Sequence, residues 1–137
     1  MKKFIYILII NLFLIGSSHS SEFKIRRIEC NDPDQKRFWN KFFLIDNDNK
    51  SALMIRAIDF YNFQSIKVNI DADINLIKFN YNNNQVYRIV RSNGDLINQY
   101  NTWVGKCFKM DDDFEPYKFL SINVSTNIEE RKKKNKF

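Results

Sequence analysis

Residues 85–104 read Gln85-Val86-Tyr87-Arg88-Ile89-Val90-Arg91-Ser92-Asn93-Gly94-Asp95-Leu96-Ile97-Asn98-Gln99-Tyr100-Asn101-Thr102-Trp103-Val104. Two runs of alternating character flank an Asn-Gly pair. Tyr87 and Ile89 alternate with Arg88. Leu96, Tyr100, Thr102 and Val104 oppose Ile97, Gln99 and Trp103. Alternation with β-branched and aromatic residues is the mark of a half-buried strand. Asn-Gly between two such runs is the strongest short-range hairpin signal. The expected connection is a two-residue type I′ turn at Asn93-Gly94, with both residues at positive φ.

Working outward, the same grammar repeats. The chain holds three glycines and two prolines, so turns fall to Asn, which tolerates left-handed backbone better than most residues. Asn and Asp clusters at 47–50, 71–73 and 82–84 separate runs at 41–46, 51–58, 65–70, 74–81 and 85–91. Residues 23–30, 95–104, 106–110 and 118–124 supply further strand candidates. Pro33 to Asn40 is a candidate short helix, capped by Asp32. Short strands joined by tight turns predict an all-β fold: an antiparallel meander of about eight strands, closed as a small barrel or folded as a sandwich, with at most one short helix.

The ends of the chain have a different character. Met1-Lys2-Lys3 is basic, residues 4–15 are apolar except for Asn11, and small residues stand at Ser18 and Ser20. This three-part pattern predicts a signal peptide over 1–20. Its apolar run is shorter than the roughly 20 residues of a spanning helix. The expectation is a single β domain over 21–126, periplasmic or secreted, with no stable membrane insertion after cleavage. Residues 127–137 are expected to be a disordered basic tail, able to make weak contact with anionic surfaces.

The formal net charge is +6, but it is unevenly held. Lys2 and Lys3 belong to the leader, and the last nine residues hold five basic and two acidic side chains. Fifteen basic and fourteen acidic groups remain in 21–128. A near-neutral domain lacks the basic face that nucleic acid demands, so nucleic acid is excluded as a partner class. Cys30 and Cys107 are the two cysteines. An even count in an exported chain predicts a disulfide between them.

The one histidine, His19, lies in the leader. Without imidazole in the exported domain, Ser-His-Asp and Cys-His catalysis fall away, as do most catalytic zinc sites. No cofactor or metal is expected. Carboxylate chemistry survives, and Asp111, Asp112, Asp113 and Glu115 form the densest acidic group; their clustering before Pro116 reads as a solvated loop. Asp46-Asn47-Asp48-Asn49-Lys50-Ser51 and Asp71-Ala72-Asp73 imitate calcium loops but lack the glycine and the bidentate Glu, so they read as Asx-rich turns.

Aromatics are in excess. Adjacent residues on a strand point to opposite faces, so Phe42 and Phe43 require either that both faces be covered or that one ring be a surface contact. Trp39, Phe42, Phe43, Tyr61 and Trp103 are the candidate contacts for a ligand or partner.

Arg91, Gly94 and Leu96 form an R-x-x-G-x-L hairpin, followed by Gly105-Lys106-Cys107 and preceded by Cys30. This resembles small exported β-rich proteins of AT-rich bacteria that join such a hairpin to a later G-x-C and an earlier cysteine. The resemblance spans about residues 23–110 and implies a periplasmic β domain. The expected function is non-enzymatic: a binding module for a small apolar ligand or an envelope protein. The alternative is a carboxylate-dependent hydrolase of an envelope glycan.

Overall fold

Two strands depart from simple alternation: Lys41-Phe42-Phe43-Leu44-Ile45-Asp46 and Ser51-Ala52-Leu53-Met54-Ile55 bury consecutive residues. Strands covered on both faces read as continuous apolar runs. In the computed structural model, which describes residues 26–135, a barrel interior covers one face and a helix the other. The expected signal peptide, 1–20, lies outside the described residues.

The strands are β1 (Arg26–Asn31), β2 (Lys41–Asp46), β3 (Ser51–Asp59), β4 (Asn62–Ala72), β5 (Leu76–Tyr81), β6 (Asn84–Val90), β7 (Asp95–Asn98) and β8 (Trp103–Lys109). Each pairs antiparallel with the next, and β1 closes on β8 into a barrel. Of the two closures expected, barrel and sandwich, the chain takes the barrel. In the closing seam Cys30 lies opposite Cys107, and the two are joined as a disulfide. The bond closes a loop over a sequence separation of 77, worth up to ~4.5 kcal/mol in the chain-entropy model.

Inside, Phe43, Ile45, Met54, Val68, Ile70, Ile77, Phe79, Ile89 and Leu96 form the main core, with Phe43 stacked on Phe79 at 4.3 Å between centroids. Eight strands leave room for little more than their own side chains. Outside, helix α1 (Pro116–Lys134) lies across β3 and β4. Leu120 and Val124 cover Phe42 and Ile55, with Phe38 and Met110 completing this second core.

Several sequence expectations are corrected. Residues 118–124 are helix, not strand, and the supposed disordered tail continues that helix to Lys134; 136 and 137 lie outside the described residues. Arg131 to Lys134 occupy its last turn, where cations complement the helix dipole. The only regular structure in 33–40 is a 3₁₀ turn, Arg37–Trp39. The run 95–104 is two strands, broken at 99–102, where Asn101 adopts φ 60° and Asn98 Oδ1 accepts from the amides of Tyr100 and Thr102. Asn93-Gly94 is not type I′. Gly94 alone is left-handed, at φ 77°, and its amide donates to Val90 O at 2.8 Å across a wider turn. The two-residue turn with both φ positive lies one hairpin earlier, at Asn82 (50°) and Asn83 (63°), between the paired Tyr81 and Asn84.

Candidate binding site

The expected contact aromatics divide among three places. Phe42 and Phe43 are fully buried, Phe43 inside the barrel and Phe42 under α1 against Phe114 and Phe119. Both faces of β2 are covered, so neither ring can be a surface contact. Trp39 meets Phe60 edge to face at 5.2 Å, and Phe60 meets Tyr61, over which Arg131 sits 4.8 Å from the ring centre. Trp39 and Tyr61 thus share a half-exposed patch. Trp103 stands apart on β8, its Nε1 donating to Asp95 at 3.0 Å.

The acidic group does not converge. Asp111, Asp112, Asp113 and Glu115 are exposed in the loop entering α1, and the Asp112 carbonyl accepts from Arg27. The calcium-like stretches are Asx turns: Asp46 accepts the Asp48 amide and Asp73 the amides of Asn75 and Leu76. These bonds favour the charged carboxylate. Asp46 is held below its ordinary range first by the Asn49 side chain, and Asp73 first by the Leu76 amide. Among the described residues no His, Cys, Asp and Glu group converges enough to hold a metal. No helix among them is long and apolar enough to cross a membrane.

A buried carboxylate, missed in the sequence, organises the segment between β1 and β2. Glu29 is 1% exposed on the outer face of β1. It accepts from Arg37 Nε at 3.0 Å and Nη2 at 2.8 Å, and from Asn40 Nδ2 at 2.6 Å. The Arg37 guanidinium also lies 3.9 Å from the Phe114 ring centre. The hydrogen bond to Glu29 raises the Arg37 pKa against the opposing effect of burial. This fork pins the 3₁₀ turn to the barrel and places Phe38 and Trp39.

The best-formed concavity lies where β1 begins and β8 ends, beside the 91–94 turn. It encloses about 420 Å³, within the range of small-molecule sites. Ile28, Ile77 and Ile89 give it an apolar floor, with the backbone at Gly94 and Cys107 beside them. Arg26, Arg27, Arg91 and Lys109 stand around it with a single carboxylate, Asp112. Arg91 is fixed by donating to Asp73 O at 2.7 Å, and Arg27 by donating to the carbonyls of Asp112 and Phe114. Their donors are thus partly used, but their charge remains. Two glycines sit at close backbone approaches: Gly94 of the hairpin beside the cavity, and Gly105 of the G-x-C at the other end of the β1–β8 seam, against Asn31. A Cβ on Gly94 would meet Cys107 O at 2.6 Å, and one on Gly105 would meet Asn31 O at 2.4 Å. None of the cavity's residues stood among the expected contacts. The available signal was Arg91-x-x-Gly94 together with Arg26-Arg27 just before Cys30.

Comparison with protein-family models, with curated proteins and with solved structures returns no match.

Proposed function

We propose that this chain is an exported, non-enzymatic binding module that holds a small ligand with an apolar body and an anionic head in the basic mouth of its barrel. The observation that carries this reading is the mouth cavity itself: an isoleucine floor ringed by four cations and one carboxylate. Apolar burial supplies affinity, and fixed guanidinium charge near a low-dielectric floor selects a carboxylate or phosphate head over a neutral one. The leader-like residues 1–20 and the Cys30–Cys107 disulfide support a periplasmic or secreted setting. The test is calorimetric titration of the purified protein with octanoate and with octanol. Octanoate should bind more tightly, and Lys109→Gln should weaken octanoate while leaving octanol unchanged. Equal affinity for the two, or no binding of either, contradicts the reading.

A further inference from the structure

We propose that the opposite mouth of the barrel is a second site, one that takes an anionic saccharide. Several inward-facing positions at that end are polar or charged. Lys41 stands one pleat before Phe43 on β2, and Arg56 one pleat after Met54 on β3. Gln64 pairs with Arg56, and Tyr87 pairs with Asn98. Arg56 Nη1 donates to the Tyr87 hydroxyl at 3.4 Å. With the Gln64 amide turned to satisfy both groups, its oxygen accepts from Arg56 Nε at 3.1 Å. Lys41 Nζ lies 5.4 Å from the centre of the same Tyr87 ring.

Two cations therefore converge on one tyrosine at the lip of an apolar interior. The ion pairs among the described residues are Arg37–Glu29 and Lys106–Asp95, so neither Lys41 nor Arg56 has a carboxylate in contact. Burial pushes the Lys41 ammonium below its ordinary range and Arg56 pushes it further, while Asp32 opposes them from a distance. A bound anion relieves that repulsion. The cleft beside these charges encloses about 360 Å³. Tyr81, Tyr87, Tyr100, Asn98 and Gln99 line it with Arg56, and Met54, Ile66 and Val86 give it an apolar side. Tyr81 is 46% and Tyr100 76% exposed, and both rings border this one cleft. Exposed phenol rings offer faces to the C–H side of a pyranose, and the amides and hydroxyls match its hydroxyl groups. A carboxylated sugar satisfies both halves of the site, whereas inorganic phosphate satisfies only the charge.

The test is nuclear magnetic resonance titration of the purified protein with oligogalacturonate, with a neutral maltooligosaccharide and with inorganic phosphate. Oligogalacturonate should shift the ring resonances of Tyr81, Tyr87 and Tyr100 saturably, and the neutral sugar should not. Tyr100→Ala, at a solvent-facing ring, should leave the thermal midpoint unchanged and weaken oligogalacturonate about tenfold; Arg56→Gln should abolish its binding. The proposal is overturned if the rings do not respond at millimolar oligogalacturonate. It is equally overturned if the neutral sugar or phosphate binds as tightly, or if both variants bind as the parent does.

Discussion

Gly94 is the residue on which sequence and structure differ most usefully. The Asn-Gly signal located the β6–β7 hairpin, yet the turn it makes is wider, because Asn93 Oδ1 caps the Asp95 amide at 2.9 Å and only Gly94 turns left-handed. Asn tolerates positive φ, so backbone conformation alone would make Gly94→Asn mild. The Cys107 carbonyl, 2.6 Å from where a Cβ would stand, removes that tolerance. Gly94→Asn and Gly94→Val should both lower stability by about 2 kcal/mol or more. Asn83→Gly, in the type I′ turn, should raise it by about 0.5 kcal/mol. Urea denaturation reads all three, and a Gly94→Asn variant as stable as the parent would refute the close approach.

At the scale of elements, the hairpins were legible and the helix was not. Strands β2 to β6 were visible as runs, and Asx residues do the turning, both in the clusters read from the sequence and at Asp59 and Asn98, which that reading did not mark as turns. Asp46, Asp59, Asp73, Asn93 and Asn98 each accept the amide two residues on. Hydrogen bonding in these turns lowers the folded pKa of Asp46, Asp59 and Asp73 from the ordinary 3.8, and Lys106 does the same for Asp95. A depressed carboxylate pKa gives stability that is present above the unfolded value and lost as pH falls through the folded one. The urea midpoint should therefore fall between about pH 5 and about pH 3; a flat or rising midpoint would show that these caps contribute nothing. Helix α1 was hidden because Leu120, Ile122 and Val124 alternate like a strand. Ile122, which completes that pattern, is 57% exposed, while the true stripe runs Leu120, Val124, Ile128 at helical spacing. Asn127 Nδ2 also ties the helix to the β3–β4 turn through Phe60 O at 2.8 Å. Leu120→Ala should cost about 2–5 kcal/mol. Deleting residues 127–137 should lower the thermal midpoint by ~5 °C or more, and an unchanged midpoint would mean that the last turns are undocked.

In the whole molecule, a meander closes on itself and a disulfide locks the seam. Nine candidate runs became eight strands: 118–124 proved to be helix, and 95–104 broke at 99–102, its end joining 106–110 as β8. The candidate site was far less legible, because a barrel mouth gathers residues from β1, β5, β6 and β8 that share no local pattern. Ile28, Ile77 and Ile89 look like any core residues until closure sets them beneath Arg26, Arg91 and Lys109. The central claim is that this mouth receives an apolar anion. It is tested most directly by following isoleucine methyl resonances during addition of octanoate. Ile28, Ile77 and Ile89 should shift together and saturate, while Ile55, beneath α1, stays fixed. Absence of shifts at these three methyls, or equal shifts at Ile55, would contradict it.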